Sequence, residues 1–445
     1  MNLIFGTDGI RGRVGRDIDE IKVLSLGIAS SKYLNTKKIF LGRDTRESSL
    51  GLAKALKEGL TRGGLEVVSL GIAPTPEIAH IARVENAGGA VISASHNSWV
   101  DNGVKLFGSG GLKISDSVQD LIQIDWENEQ QKKHVVGELD LEDENDERWI
   151  KSVISSAEPG CFSGLKIVLD CANGATVNKA SVIFQELGAT VVEVGSNPDG
   201  RNINDNCGSN NPENLREKVL SSSAHIGFAF DGDGDRVIAA SSDGSILDGD
   251  YLLFICSEDR FDRGLLKNSS VVITPMANLG MREAFYNLGI PLHEVSVGDR
   301  NILQALEENN WLIGGEQSGH IIFRDSSTTG DGVLTSVQTL LALLRKHRSS
   351  VEASTVFSKV PQVLINVFVE NDAEKIVEEI KDEVNVASME LGKGGRVLVR
   401  PSGTEPLVRV MVETRDSALA SSIAEHLSEI IKRKDDLLSA AANNT

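Results

Sequence analysis

The chain has 445 residues, 40% hydrophobic and 24% charged, with 45 basic against 64 acidic side chains and a net charge of −19. That length asks for three or four domains, the acidic balance argues against nucleic acid as a main partner, and no run approaches the ~18 apolar residues of a membrane span. The start, Met1 to Asp8, lacks a basic segment followed by an apolar one, and Cys161, Cys171, Cys207 and Cys256 have no metal-ligand spacing, so free thiols in a reducing cytoplasm are expected.

A strand–turn–helix–strand pattern recurs along the chain. The first copy is Lys38–Asp44, a helical run Leu50–Arg62 and Leu65–Val68. The second is Leu165–Asp170, a run around Val177–Glu186 and Ala189–Glu193; the third is Ser270–Thr274, Leu279–Asn287 and Ile290–Glu294. Each helix closes near a glycine, Gly63, Gly188 or Gly289, as helix C-termini prefer. Strands alternating with helices predict α/β units with parallel strands, and three copies predict three related domains. The acidic stretch Glu127–Glu147 reads as a solvated face or linker. The tail differs: strands at Gln362–Val369, Gly395–Arg400 and Leu407–Glu413 alternate with helical runs Asp372–Val384, capped by Asp372, and Ala418–Leu438. It predicts a compact α+β domain.

Four loops carry candidate chemistry. Ala90-Val91-Ile92 reads as a buried strand that delivers Ser93, Ser95, His96 and Asn97 to its end, with Lys105 beyond. Asp231-Gly232-Asp233-Gly234-Asp235-Arg236 follows the apolar run Ile226–Phe230; three carboxylates on alternate residues of a glycine-rich turn can converge on a hard divalent cation. A calcium EF-hand is excluded, because its sixth position is Arg236 and its twelfth Ser242. Gly314–His320 offers Glu316 and Ser318 to sugar hydroxyls and His320 to protons or phosphate. Arg400–Pro406, with Arg409 beyond, gathers an arginine, hydroxyls and backbone N–H groups, either a phosphate nest or an ordinary hairpin turn. Phe5–Gly12 places Arg11 in a further glycine-rich loop, and Val297–Arg300 is a shorter one.

For Ser95 three readings compete. A hydrolase nucleophile needs an elbow of the form GxSxG, and Ala94-Ser95-His96-Asn97 lacks it. A buried structural serine is the bland reading. A serine that carries a phosphoryl group needs a cation and an acid/base group beside it, and the Asp231–Asp235 loop, Lys105 and His96 supply them.

Taken together and in order, Phe5–Gly12, Ser93–Lys105, Asp231–Arg236, Val297–Arg300, Gly314–His320 and Arg400–Pro406 resemble the α-D-phosphohexomutases, and the third-domain loops resemble the glucosamine branch of that family. The resemblance implies three related α/β domains with mixed sheets followed by a smaller α+β C-terminal domain, around a central cleft. Their spans are 1–148 (phosphoserine loop), 149–247 (metal binding), 248–360 (sugar recognition) and 361–445 (phosphate binding). It implies that Ser95 is phosphorylated and that Ser95, Asp231, Asp233 and Asp235 hold Mg²⁺. Lys105, His96, Arg11 and His320 would serve the reacting phosphoryl group, with Lys105 or His320 moving protons. Glu316, Ser318 and Arg236 would hold the sugar, while Arg400, Ser402, Gly403, Thr404 and Arg409 would grip the other phosphate.

The implied reaction interconverts glucosamine 6-phosphate and glucosamine 1-phosphate through glucosamine 1,6-bisphosphate, ahead of UDP-N-acetylglucosamine synthesis. The partners are small sugar phosphates, with neither nucleic acid nor membrane, and a homodimer is the candidate assembly. A mannose- or glucose-phosphate mutase and a non-catalytic sugar-phosphate sensor remain as alternatives. Two departures from the family pattern stand out: Ser98 where proline is usual, and Ser296 and Asn301 where lysine and tyrosine flank the Val297–Arg300 loop. Reading two phosphates in turn would also require a C-terminal domain hinged near Pro361.

Overall fold

The computed structural model describes residues 5–6, 8–137, 140–402 and 406–442. It divides into two compact units, Met1–Met276 with Gly289–Val356, and Ala277–Leu288 with Phe357–Thr445.

The first unit contains three sheets built on one plan. In the first sheet the strands are β1 (Ile10–Arg13), β2 (Lys38–Arg43), β3 (Glu66–Ile72), β4 (Gly88–Ile92) and β5 (Asp101–Phe107), in the order β1-β5-β4-β2-β3. Strand β2 runs parallel to β3 and β4; β5 turns back antiparallel to β4, and β1 pairs with β5. The second sheet has β6 (Lys166–Asp170), β7 (Thr190–Val194), β8 (Ile226–Phe230), β9 (Val237–Ser241) and β10 (Ile246–Leu247), in the order β10-β9-β8-β6-β7. The third has β11 (Val271–Ile273), β12 (Leu292–Glu294), β13 (Ile313–Gly315) and β14 (Ile321–Phe323), in the order β12-β11-β13-β14. In each, the third of the parallel strands (β4, β8 or β13) pairs with the first of them (β2, β6 or β11) and then folds back as an antiparallel hairpin. The sheets are mixed, as the family resemblance implied. The pattern of alternating elements alone had predicted parallel pairing.

Both faces of the first sheet are covered, which is why its central strands read as nearly continuous apolar runs. Ile39, Leu41, Ala90 and Ile92 point into one core with Leu24, Leu56 and Trp126, while Phe40 and Val91 point into another with Ile78 and Ile81. The described residues of the acidic stretch Glu127–Glu147 are largely exposed, as a solvated face or linker would be, apart from the buried Glu129. The helix Asp116–Gln130 runs into that stretch, and Trp126 Nε1 donates to the carbonyl of Lys22 and to Ser25 Oγ. The glycines after the repeated helices behave unequally. Gly188 and Gly289 take positive φ, but at the first helix that conformation belongs to Gly64, not Gly63.

In the second unit β15 (Gln362–Phe368), β16 (Gly395–Pro401) and β17 (Leu407–Thr414) form an antiparallel sheet with β17 central. The helix Ser417–Ala442 packs on it through Ala420, Ala424, Leu427 and Ile431. The run expected as one helix from Asp372 is two, Ala373–Glu379 and Lys381–Leu391, broken at the fully buried Ile380. Asp372 does cap the first, accepting from the N–H groups of Glu374 and Lys375. The helix Leu279–Leu288, expected within the third α/β unit, groups with this sheet. Its N-terminal N–H donates to Glu413 Oε1, and the Asn278 side chain bonds both backbone groups of Val360. Among the described residues no helix is long and apolar enough to cross a membrane.

Candidate active site

The three motifs of the first unit occupy one topological position: the turn between the third parallel strand and its antiparallel partner. Ser95 lies between β4 and β5, Asp231–Arg236 between β8 and β9, and Glu316–His320 between β13 and β14. Two glycines permit their close approach. A Cβ on Gly232 would lie 2.6 Å from the carbonyl oxygen of Ser95. Gly319, at φ +90°, sits where a Cβ would be 2.0 Å from the Val237 oxygen, and its own carbonyl accepts from the Val237 N–H.

Ser95 is fully buried and has φ +53°, the left-handed region that costs an L-residue about 1–2 kcal/mol. Its Oγ donates to Asp231 Oδ2 at 2.6 Å and stands 3.1 Å from His96 Nδ1. Burial, followed by the nearby Arg236 and Arg11 cations, drives the His96 pKa down to about 3, so this imidazole is neutral. Asp231, Asp233 and Asp235 are all buried and place carboxylate oxygens within 4.8 Å of one another. Asp233 Oδ1 and Asp235 Oδ1 have no hydrogen-bond partner among the described residues. Two orphaned anionic oxygens in an all-oxygen set fit a hard divalent cation such as Mg²⁺.

The Lys105 ammonium is 2.7 Å from Asp8 Oδ2, 2.7 Å from Asp233 Oδ2 and 2.8 Å from Asp235 Oδ2. Burial works against its charge, but Asp233, Asp235 and Asp8 outweigh burial and hold the pKa well above the usual lysine range. Burial and the adjacent Asp235 and Asp233 push the Asp231 carboxyl well up, whereas Lys105 overcomes burial and holds Asp235 well down. Thr75 fixes Asp233 twice, through its Oγ1 and through its N–H to the Asp233 carbonyl. Arg11 donates to Asp8 Oδ2 at 2.8 Å.

His320 is buried, and the Gly330 N–H donates to its Nε2 at 3.0 Å. That bond puts the ring proton of the neutral imidazole on Nδ1, which faces Asp235 Oδ2 at 3.7 Å. Glu316 Oε1 accepts from the Gly298 N–H, so the Val297–Arg300 loop and the Gly314–His320 loop are joined. Asn301 braces the former through the carbonyls of Ser296 and Val297. Ser318 Oγ is buried without a partner among the described residues, and Arg236 lies 3.8 Å from Asp235. In the second unit Arg400 and Arg409 are cross-strand partners on β16 and β17, and the Ser402 N–H closes the hairpin on the Leu407 carbonyl. Gly403 and Thr404 lie outside the described residues.

Three residues passed over in the sequence, Lys113, Arg46 and Asn204, enter the site together with Asp299. Lys113, with its side chain 8% exposed, bridges Asp8 at 2.6 Å and Asp299, which in turn lies 3.7 Å from His320. Arg46 and Asn204 hold the Ser95 loop from behind. Asp299 was visible only as part of a short Val-Gly-Asp-Arg motif. The other three carry no local signal in the sequence.

The sequence matches all four domain descriptions of phosphoglucomutase/phosphomannomutase: alpha/beta/alpha domain I over residues 2–133, domain II over 147–244, domain III over 248–360 and the C-terminal domain over 364–430. It is 41% identical to the phosphoglucosamine mutase of Thermobifida fusca, covering 97% of this chain and 98% of that one. It is 42% identical to the phosphoglucosamine mutase of Aeromonas salmonicida, covering 96% and 98%. The fold is similar to that of a phosphoglucomutase/phosphomannomutase family protein from Burkholderia thailandensis, with TM-score 0.80, 24% identity and 97% of both chains covered. It is also similar to Aspergillus fumigatus N-acetylphosphoglucosamine mutase, solved with GlcNAc-6P and magnesium, with TM-score 0.67, 16% identity and 98% and 96% covered.

Proposed function

The chain belongs to the phosphoglucomutase/phosphomannomutase family, and on that premise we propose that it interconverts glucosamine 6-phosphate and glucosamine 1-phosphate, with Ser95 as the phosphoryl carrier. The observation that carries the carrier role is the position of Ser95 Oγ, 2.6 Å from Asp231 and on the rim of the three-aspartate cluster. The choice of sugar rests on near full-length identity above 40% to curated phosphoglucosamine mutases.

In this reading phospho-Ser95 gives its phosphoryl group to the free hydroxyl of the sugar phosphate. The P–Oγ bond breaks as a P–O bond to the sugar oxygen forms, and the proton of the attacking hydroxyl ends on Oγ, giving glucosamine 1,6-bisphosphate and unphosphorylated Ser95. After the intermediate turns over, its other phosphoryl group returns to Ser95, so phosphate is conserved. Asp231, Asp233, Asp235 and the phosphoserine oxygen would hold Mg²⁺, which would supply charge compensation and a better leaving group at Oγ. Lys105 adds fixed positive charge beside the transferring group, because its carboxylate neighbours keep it an ammonium. The neutral His96 imidazole adjoins the Ser95 oxygen and offers it a hydrogen-bond partner without adding charge. His320, occupied on Nε2 by Gly330, orients Asp235. Glu316 and Ser318 take the sugar hydroxyls, Arg236 and Arg11 take phosphate oxygens, and Arg400, Ser402, Gly403, Thr404 and Arg409 grip the non-reacting phosphate. The free cysteines suit a reducing cytoplasm.

Turnover of glucosamine, glucose and mannose 6-phosphates in parallel tests the assignment. A kcat/KM highest for glucosamine phosphate supports it; a preference for glucose or mannose phosphate assigns the chain to that chemistry instead. Binding without any phosphate uptake by Ser95 from a sugar bisphosphate would mark a sensor.

A further inference from the structure

The backbone of the Ser95 loop is gripped by two side chains from different layers of the first unit. Arg46 Nη2 donates to the carbonyl oxygens of Ser95 and Asn97, each at 2.9 Å, and Arg46 Nη1 donates to that of Ser98. Asn204 Nδ2 donates to the same Ser95 and Asn97 oxygens, at 2.9 and 3.0 Å. Because both of those targets are acceptors, the amide of Asn204 must present its NH₂ here. The Arg46 side chain is fully buried and locked by Asp44, which also accepts from Ser49 Oγ and Ser93 Oγ. Ser93 Oγ in turn accepts from the Ser95 N–H.

An outer tie reinforces the grip. Arg201, three residues before Asn204, stacks its guanidinium 5.2 Å from the ring of Trp99 and pairs with Glu47 at 2.6 Å. The Glu47 N–H donates to the Gly200 carbonyl.

These contacts address one physical problem. Ser95 sits at φ +53°, a conformation an L-residue leaves readily unless its surroundings determine it. The carbonyls that the two side chains hold are those that must rotate if Ser95 relaxes. With the turn fixed, Oγ stays aimed at Asp231. With the turn free, it would not.

We propose that Arg46 and Asn204 are positioning residues for phosphoryl transfer, acting through the Ser95 backbone by donating to its carbonyl and to that of Asn97. Neither is among the residues proposed to hold substrate or metal, so their effect falls on kcat and on Ser95 phosphorylation rather than on KM. The inference rests on the role of Ser95 proposed above.

The test uses the full-length protein with Asn204→Ala, Asn204→Asp and Arg46→Lys. Asn204→Asp keeps the shape but replaces the donor with an acceptor; Arg46→Lys keeps the charge opposite Asp44 but not the fork. Three quantities are read: the rate at which Ser95 gains a phosphate-sized mass from glucosamine 1,6-bisphosphate, kcat and KM for glucosamine 6-phosphate, and hydrogen exchange of the peptide spanning residues 93–99. Both Asn204 variants should lower the phosphorylation rate and kcat by about tenfold or more, the equivalent of one lost hydrogen bond at the transition state. KM should stay within about twofold, the melting temperature within a few degrees, and exchange of the 93–99 peptide should accelerate. Wild-type exchange in both Asn204 variants overturns the inference, whether or not the wild-type protein turns over glucosamine phosphate. So does an Asn204→Asp variant as active as wild type, which would reduce Asn204 to a space filler. If wild-type Ser95 takes up no phosphate while exchange still accelerates, the carrier role fails and the loop-holding role survives. If Arg46→Lys does not fold, the Asn204 pair decides.

Discussion

Ser95 Oγ donates to Asp231 Oδ2 across 2.6 Å although 136 residues separate the two in the chain. The pairing comes from two hairpins of the same design, each ending its third parallel strand in a turn that carries the reactive groups. A hydroxyl so placed would present its oxygen to a cation held by the same carboxylate. Ser95→Ala should therefore lower mutase turnover by at least about a thousandfold, ~4 kcal/mol of barrier, while the three aspartates still bind Mg²⁺ in calorimetry with one ligand fewer. Retention of turnover would remove Ser95 from the chemistry.

Asp233 combines an orphaned Oδ1 with bonds from Thr75 and Lys105 to Oδ2. Asp233→Asn should raise the Mg²⁺ concentration needed for half-maximal activity by about tenfold or more, since a neutral amide is a poor ligand for a hard cation. An unchanged magnesium titration would place the cation elsewhere.

Lys113 compensates two carboxylates, Asp8 and Asp299, on different layers of the first unit. Lys113→Met leaves both without that cation, and losing one member of a buried ionic cluster costs about 3–5 kcal/mol. Lys113→Arg keeps the charge and should cost less. Urea midpoints of the two variants check the order, and equal midpoints would contradict it.

The pH dependence is sharpest at Asp331, which caps the helix Gly332–Arg345 and accepts from Trp149 Nε1. Burial raises its carboxyl from 3.8 to about 6, more than its backbone and indole donors lower it. A carboxyl raised in the folded state favours folding fully below its unfolded pKa, and that contribution is lost as pH rises through about 6. Asp331→Asn keeps a good capping residue and cannot ionise. Relative to wild type the variant should gain stability between pH 4 and 7, by up to about 3 kcal/mol from the two-unit shift. Denaturant midpoints at the two pH values give the sign, and a variant that loses ground toward pH 7 would reverse it.

The reactive turns were legible because each packs its chemistry into a few consecutive residues after an apolar strand, as Asp231–Arg236 does after Ile226–Phe230. The recurring strand–helix–strand pattern likewise exposed the three α/β copies. What escaped was whatever depends on two distant segments meeting. Arg46 and Asn204 are ordinary polar residues until the fold brings both to the Ser95 carbonyl. Lys113 is a lone lysine until Asp8 and Asp299 close on it. The Asp231–Asp235 loop read as a cation site on its own, and the fold adds Lys105 to it, standing among Asp233, Asp235 and Asp8. Ser98 departs from the family's proline, yet its carbonyl is held by Arg46, so the loop draws its stiffness from hydrogen bonds where a ring would otherwise supply it.

Phosphorus NMR of the wild-type protein with glucosamine 6-phosphate, Mg²⁺ and a trace of glucosamine 1,6-bisphosphate tests the central claim most directly. The account predicts growth of the glucosamine 1-phosphate resonance to a fixed equilibrium ratio, with no release of inorganic phosphate and no growth with Ser95→Ala. A spectrum in which glucosamine 6-phosphate persists unchanged, or in which it is hydrolysed to free phosphate, would contradict it.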